Sequence, residues 1–230
     1  MRVVSLVPSA TETLLAWGIV PIGVTRFCEQ PSLPQVGGTK DPDISAIVGL
    51  EPDVVVVCDE ENRREDADQL TAAGLSLHVL RIRSVEDVAP ALVELAERLA
   101  VRGEQVELPA PVTPRFPVRA FVPIWRERSG ASMTINRDTY GASLLRWVGV
   151  ANVYADEVDR YPSTTLDEAA RRHPDVVLAP SEPYPFSERH RGELSRVAPV
   201  VFVDGQDLFW WGVRTPGAIG RLTAALRLLR

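Results

Sequence analysis

Aromatic side chains are concentrated in loops that follow the predicted β-strands of this chain. Aromatic rings offer a large contact area and lose little rotamer entropy on binding, so they suit a planar macrocycle or a metal chelate. Each ring can instead pack in a hydrophobic core, but the loop setting of Trp210 and Trp211 favours ligand contact for that pair. The aromatic candidates are Phe27, Trp125, Tyr184, Phe186, Phe209, Trp210 and Trp211.

Polar and small residues stand at the same strand ends and extend the candidate binding surface. The acidic run from Asp59 to Glu61 can accept hydrogen bonds from ligand amides or contact a cation, and its alternative is a solvated loop. Glu65 and Glu188 follow matching strand ends in the two halves, which makes them candidates for docking on basic residues of a partner. The non-aromatic candidates for ligand binding are Pro8, Ser9, Cys28, Cys58, Asp59, Glu60 and Glu182.

The sequence contains no recognisable catalytic or metal-binding motif. It lacks the glycine-rich phosphate loops, the GxSxG nucleophile turn and the HExxH zinc motif. The three histidines are scattered, and the two cysteines lack zinc-site spacing. We therefore expect a binding protein with no catalytic residue, no resident metal and no required cofactor. The enzyme alternative uses Cys28 or Cys58, and a lowered thiol pKa would favour it.

The composition is that of an acidic globular chain. Its 230 residues carry a formal net charge of −6, a pI near 5.2 and 45% hydrophobic residues. Nucleic acid is excluded as the main partner because phosphate binding needs a concentrated basic face. No apolar run approaches the ~20 residues of a membrane span. No secretory signal is visible, so the sequence predicts a cytoplasmic protein, or an extracytoplasmic one if a leader precedes it.

The chain repeats one order of predicted elements in its two halves. Each half has a strand, an apolar helix, a turn-rich loop and a short helix, and then a Pro-Asp pair opens a continuous apolar strand. This alternation predicts an α/β fold with mostly parallel sheets, in two lobes whose strand ends line one ligand cleft. The predicted divisions are an N-terminal lobe over 1–82, a connection over 83–117, and a C-terminal lobe with a terminal helix over 118–230.

Local signals predict where helices start and stop. Ser9 and Glu12 have capping-box spacing, and so do Thr165 and Glu168. Helical periodicity over 84–102 predicts a linking helix that Pro90 either kinks or starts. The prolines between 103 and 117 then predict an extended, exposed connection.

Characteristic runs cover nearly the whole chain. They are Arg2–Thr13, Gly23–Thr25, Val36–Gly38, Leu50–Val55, Ile124–Arg126, Asp138–Tyr140, Asn152–Val153, Tyr161–Pro162, Pro174–Val176 and Ser181–Phe186. Together they resemble the cobalamin-binding and iron-chelate-binding proteins of ABC importers, the class III substrate-binding proteins. The resemblance implies two Rossmann-like lobes with a ligand between them and an ABC permease as partner, and it adds Tyr161 to the ligand-binding candidates. Such receptors join their lobes with one long rigid helix, which in this chain is shortened.

The leading hypothesis is a binding protein for cobalamin or a related corrinoid. The first alternative is a receptor for a ferric siderophore or haem, and the second is an enzyme that acts on a corrinoid or chelate through Cys28 or Cys58. The third is a protein-interaction module with an empty cleft. Ligand-induced stabilisation would separate the receptors from the interaction module.

Overall fold

The chain forms two compact α/β units, described here from a computed structural model that covers residues 1–103, 106–115 and 117–227. Unit 1 comprises Met1–Ile82, Glu86–Glu107 and Trp211–Arg214, and unit 2 comprises Arg83–Val85, Leu108–Trp210 and the chain from Thr215 onward. The predicted connection over 83–117 is thus shared between the two units. Parts of that connection and of the predicted C-terminal lobe, namely Glu104, Gln105, Phe116 and 228–230, lie outside the described residues.

Unit 1 is built on one parallel sheet. Its elements are β1 (Val3–Ser5), α1 (Pro8–Ala16), β2 (Gly23–Val24), a 3-10 turn (Arg26–Cys28), α2 (Ile44–Gly49), β3 (Val54–Cys58), α3 (Arg64–Ala72), β4 (Leu77–Leu80) and α4 (Val88–Leu99). The strand order is β2-β1-β3-β4, and every neighbouring pair is parallel. All five side chains of β3 are buried, as its continuous apolar sequence predicts for a strand covered on both faces.

Unit 2 repeats this plan and adds a small second sheet. Its elements are β5 (Val118–Phe121), β6 (Trp125–Arg126), β7 (Ser132–Met133), α5 (Tyr140–Trp147), β8 (Val150–Asn152), β9 (Ser163–Thr164), α6 (Leu166–Arg171), β10 (Val176–Pro180), a 3-10 turn (Glu188–His190), α7 (Arg191–Leu194), β11 (Val200–Val203), α8 (Gly205–Phe209) and α9 (Thr215–Arg227). The main sheet is parallel in the order β11-β10-β5-β8, and β6-β7-β9 is antiparallel. The predicted fold class, α/β with mostly parallel sheets, is confirmed.

An arginine and an aspartate close the amino-terminal edge of the unit 1 sheet. The Asp53 carboxylate accepts a hydrogen bond from the backbone N–H of Arg2 at 2.5 Å. The Arg2 guanidinium donates to the carbonyls of Leu50, at 2.7 Å, and Glu51, at 3.2 Å. We call this arrangement the Arg–Asp latch. It joins the first residue before β1 to the turn that enters β3.

Unit 2 carries the same latch at the corresponding edge. Asp175 accepts from the backbone N–H of Arg119 at 2.8 Å. The Arg119 guanidinium donates to the carbonyls of Arg172, at 2.7 Å, and His173, at 3.2 Å. The Pro-Asp pair that recurs in the sequence therefore marks a turn that has the same hydrogen bonds in both units.

Pro52 and Pro174 precede the two latch aspartates, and the residue before each of these prolines adopts the left-handed backbone conformation. Glu51 has φ 45° and His173 has φ 50°. A residue that precedes proline is disfavoured in the right-handed helical region, and a left-handed turn ends the preceding helix before the strand begins. The latch hydrogen bonds to the carbonyls of these two residues hold that turn in place.

One predicted capping box is confirmed and the other is wrong. At the start of α6, Thr165 Oγ1 accepts from the N–H of Glu168, and the Glu168 carboxylate accepts from the N–H of Thr165. In contrast, α1 begins at Pro8, so Ser9 and Glu12 lie inside the helix. A proline in the first helical position starts a helix with no N–H to satisfy, and the Glu12 carboxylate instead accepts from the Arg214 guanidinium at 2.8 Å.

The linking helix is short. α4 starts two residues before Pro90, within the first turn, where a helix does not use the backbone N–H of its residues. Pro90 therefore marks the start of the helix and does not kink it. Residues 103, 106–115 and 117 contain neither helix nor strand.

The connection that follows α4 lies along the end of α5. Trp147 Nε1 donates to the Pro109 carbonyl at 2.9 Å, and the Val112 N–H donates to the Trp147 carbonyl at 2.8 Å. Within the part of the chain that the structure describes, no helix is long and apolar enough to cross a membrane.

Candidate ligand-binding site

The carboxyl ends of the parallel strands carry the candidate residues of unit 1, and they differ in exposure. Pro8 and Ser9, in the first turn of α1, are buried. The Ser9 hydroxyl is buried with no hydrogen-bond partner. Phe27 is 49% exposed on the 3-10 turn after β2. Phe27 is therefore an exposed aromatic ring near the carboxyl end of the unit 1 sheet.

Arg26 fixes the position of the Phe27 ring. The Arg26 guanidinium lies 4.8 Å from the ring centroid and donates to Asp41 at 2.8 Å. The guanidinium also passes close to Gly38, where an added Cβ would lie 2.6 Å from Nη2. Gly38, the second glycine of the Gly37–Gly38 pair, thus leaves room for the side chain that lies against the exposed ring.

Both cysteines of unit 1 are free, buried thiols. Cys28 Sγ lies 3.2 Å from the hydroxyls of Thr11 and Thr25, and burial raises the pKa of its thiol. At the end of β3, burial and then the Glu61 carboxylate raise the pKa of Cys58 to about 12. Both groups are thiols at neutral pH, and a protonated thiol is a poor nucleophile and a poor metal ligand.

The acidic candidates of unit 1 face solvent. Asp59 is exposed, with Arg81 Nε 3.9 Å from its carboxylate, and Glu60 is half-buried. Glu65 is exposed in the first turn of α3. Of these three acids, Glu65 is exposed, whereas the Asp59 side chain is 25% exposed and Glu60 is half-buried.

Trp125 is an exposed aromatic residue of unit 2. Its side chain is 46% exposed on β6, which pairs with β7. A tight turn joins these two strands, with Gly130 at φ 89°. The sequence predicts a loop for Trp125, but the residue lies in a short antiparallel strand, and the Ser129-Gly130 turn signal could have revealed this hairpin.

An open pocket of about 620 Å³ lies beside Trp125, and its volume is typical of small-molecule sites. Its lining residues are Trp125, Arg126, Glu127, Arg128, Gly130 and Tyr184. Arg126 pairs with Glu193 at 2.8 Å, while Arg128 is exposed. The pocket combines aromatic walls with guanidinium groups. The sequence marks Arg126 only as part of the Ile124–Arg126 run and does not mark Arg128.

A stack of rings runs from this pocket into the core of unit 2. Trp125 and Tyr184 meet edge to face with centroids 5.7 Å apart, and Tyr184 and Phe186 lie 4.7 Å apart. Phe186 is only 5% exposed and packs in the hydrophobic core. Below them, His190 is buried, and burial followed by the Arg189 guanidinium lowers its pKa. Phe186 therefore takes the core-packing alternative, while Tyr184 reaches the pocket wall.

The remaining candidates are spread over several surroundings. Tyr161 is 40% exposed, and Phe209 is half-buried, packed on the backbone of Gly141. Trp210 is half-buried in unit 2, whereas Trp211 is only 3% exposed and belongs to unit 1. The two tryptophans therefore do not share one environment, and burial favours core packing for Trp211.

The candidate acids of unit 2 are tied by local contacts. Glu182 is half-buried at a close approach to Gly205, where an added Cβ would lie 2.5 Å from the Glu182 backbone nitrogen. Arg191 donates twice to the Glu188 carboxylate, at 2.6 and 2.7 Å, and holds the pKa of Glu188 below its usual range. Among the residues that the structure covers, no group of three or more His, Cys, Asp or Glu side chains is placed to hold a metal.

Sequence comparison finds relatives that are binding proteins. The vitamin B12-binding protein of Salmonella choleraesuis (strain SC-B67) is 25% identical over 192 residues, which span 77% of this chain and 71% of that protein. The vitamin B12-binding protein of Vibrio parahaemolyticus is 23% identical over 204 residues, spanning 82% and 71% respectively. No family model matches the chain.

Solved structures share the fold over almost the full length. The periplasmic vitamin B12 binding protein BtuF of Vibrio cholerae has a TM-score of 0.76 at 16% identity, covering 99% of this chain and 97% of that one. The periplasmic haem-binding protein BhuT has a TM-score of 0.78 at 21% identity, covering 99% and 98%. The expected cytoplasmic location is wrong, because these similar proteins are periplasmic and point to a location outside the cytoplasm.

Proposed function

We propose that this chain, a class III substrate-binding protein of the ABC-importer type, binds cobalamin or a related corrinoid and carries out no chemistry on it. One observation carries the proposal. Each unit presents a half-exposed aromatic ring at the carboxyl ends of its strands, Phe27 in unit 1 and Trp125 in unit 2. A large exposed ring costs solubility, and a flat apolar ligand face is the partner that suits it.

Polar groups beside these rings suit the periphery of a corrinoid. The corrin ring carries amide side chains, whose N–H groups need acceptors when they leave water. Asp59 and Glu60 supply carboxylate acceptors in unit 1, and the pocket beside Trp125 supplies both guanidinium donors and the Glu127 carboxylate. We propose these residues, with Phe27, Trp125, Tyr161 and Tyr184, as the ligand-contacting set.

Saturation with cyanocobalamin tests the proposal directly. A ligand that binds only the folded state raises stability by RT ln(1 + [L]/Kd), about 2.7 kcal/mol at a hundredfold excess over Kd. We expect the melting temperature to rise with cyanocobalamin concentration. Once the concentration exceeds Kd, the rise should follow the logarithm of the concentration. A melting temperature that stays constant up to millimolar cyanocobalamin, with no saturable heat in calorimetry, would exclude the corrinoid.

Haem is the second candidate, and the pocket arginines favour it. Arg126 and Arg128 line the pocket next to the Trp125 ring, and guanidinium groups bind carboxylates such as the haem propionates with paired hydrogen bonds. A parallel titration with haemin distinguishes the two ligands. Haemin binding with no response to cyanocobalamin would assign the protein to haem.

The thiol pKa values support a receptor over the enzyme alternative. An enzyme that used Cys28 or Cys58 as a nucleophile would need a lowered thiol pKa, whereas burial raises both pKa values.

We propose Glu65 and Glu188 as the contacts to an ABC permease. Glu65 is exposed, and Glu188 would exchange its pair with Arg191 for a basic residue of the permease.

A further inference from the structure

A single side-chain amide joins three segments at the carboxyl edge of unit 1. The Asn62 Oδ1 atom accepts from the backbone N–H of Cys58 at 2.8 Å. Its Nδ2 atom donates to the carbonyl of Leu6 at 3.2 Å and to the carbonyl of Thr39 at 2.9 Å. Asn62 is half-buried, and each of these bonds ends on backbone rather than on a mobile side chain.

Each of the three joined segments carries candidate ligand residues. Leu6 leads from β1 into Pro8 and Ser9, and Cys58 leads from β3 into Asp59 and Glu60. Thr39 lies between Gly38, which leaves room for the Arg26 side chain, and Asp41, which accepts a hydrogen bond from the Arg26 guanidinium beside the Phe27 ring. The Asn62 amide therefore links the three segments that carry these groups.

Only a carboxamide of this length fits the arrangement. The site needs one acceptor for an N–H group and two donors for carbonyl oxygens, which asparagine supplies and aspartate does not. The two donor bonds reach residues 56 and 23 positions away in the sequence. A local turn would need only the bond to Cys58, so the long-range bonds require another explanation.

We propose that Asn62 is a positioning residue for the ligand face of unit 1, an inference that rests on the proposed function. The amide sets the distance between the Phe27 support and the Asp59–Glu60 loop. The β1–β3 pairing is a backbone ladder that does not involve the Asn62 side chain. Loss of the amide should therefore distort the ligand face while the sheet persists.

Two variants separate the positioning bonds from the local one. Asn62→Ala removes all three hydrogen bonds. Asn62→Asp keeps an acceptor for the Cys58 N–H but turns the two donor contacts into repulsions between oxygens. We expect both variants to weaken cyanocobalamin binding by about tenfold or more, measured by calorimetry.

Arg2→Ala is the matched control. It also removes two side-chain donors from backbone carbonyls of unit 1, but at the opposite edge of the sheet. We expect it to lower the melting temperature about as much as Asn62→Ala and to leave cyanocobalamin affinity unchanged. Wild-type affinity in Asn62→Asp, or an equal loss of affinity in Arg2→Ala, would overturn the proposal.

Amide hydrogen exchange of the ligand-free protein tests the positioning role of Asn62 even if no corrinoid binds. We expect Asn62→Ala to speed exchange of the Arg26 and Gly38 amides, which donate to Gly37 and Asp41, and we expect no such change in Arg2→Ala. If only the Cys58 amide exchanged faster, Asn62 would stabilise only its own turn, and the proposal would be overturned. If wild-type protein bound neither cyanocobalamin nor haemin, the proposed function would fail, while exchange would still decide the role of Asn62.

Discussion

The two units are alike at the amino-terminal edges of their main sheets and unlike at the carboxyl edges. The Arg2–Asp53 latch of unit 1 and the Arg119–Asp175 latch of unit 2 agree bond for bond, within 0.3 Å for the backbone N–H contact and with equal distances for the guanidinium contacts. We attribute this likeness to the fold, because the latch hydrogen bonds stabilise the turn that leads into the buried central strand of each sheet.

The carboxyl edges use different chemistry. Unit 1 ends its strands in buried thiols, threonine hydroxyls and the Asn62 amide, with one exposed ring. Unit 2 ends in a stack of rings and adds the antiparallel β6-β7-β9 sheet that presents Trp125. The two units thus differ at the edge where α/β proteins bind ligands.

The largest expected effect on stability tests whether Phe186 packs in the core while Trp125 lines the pocket wall. Phe186→Ala removes a buried ring and should lower the free energy of unfolding by about 3–5 kcal/mol. Trp125→Ala removes a half-exposed ring from the same stack and should cost about 1 kcal/mol or less. Urea unfolding measures both variants. Equal losses would mean that Trp125 is a core residue as well.

The buried thiol of unit 1 should make stability pH-dependent in the alkaline range. Burial raises the pKa of the Cys58 thiol in the folded state to about 12, above the usual thiol value of about 9, so between these pH values the folded state retains a proton that the unfolded state has lost. The stabilisation is complete below about pH 9 and is lost as pH rises through 12, with a slope of up to about 1.4 kcal/mol per pH unit.

Cys58→Ser should flatten this alkaline slope, because a hydroxyl does not titrate in that range. Unfolding by urea at several pH values between 8 and about 11 measures the effect. A Cys58→Ser protein with the same slope as wild type would assign the alkaline loss of stability to other groups.

The smallest expected effect on stability tests whether the two Arg–Asp latches contribute equally to their units. Asp53→Ala and Asp175→Ala each remove one acceptor from an exposed backbone N–H and should each cost about 1 kcal/mol of unfolding free energy. Asp68→Ala, which removes only a loose surface pair with Arg64 at 3.9 Å, is the control and should cost less. Costs that differ strongly between Asp53→Ala and Asp175→Ala would show that only one unit depends on its latch.

Sequence patterns predicted the elements that depend on near neighbours. Continuous apolar runs located β3 and β10, and the Thr165–Glu168 spacing located a true capping box. The same spacing failed at Ser9 because Pro8 already starts α1, so Ser9 lies inside the helix, and the Glu12 carboxylate pairs instead with Arg214, which lies 202 residues away. A pairing at that distance leaves no local signal.

The candidate site shows the same limit. Tyr184 and Phe186 are two residues apart in a proline-rich loop, and composition alone does not tell which ring faces the core. Trp210 and Trp211 are adjacent, yet they belong to different units and differ in burial. Asn62 stood in a loop that sequence analysis marked, but its importance depends on carbonyls from two other segments.

Titration calorimetry with cyanocobalamin on wild type, Phe27→Ala and Trp125→Ala tests the central claim most directly. The proposed function predicts saturable binding to wild type and a loss of about tenfold or more in each variant, with melting temperatures of the ligand-free proteins close to wild type. No saturable binding to wild type, or unchanged affinity in both variants, would contradict a corrinoid receptor whose exposed rings contact the ligand.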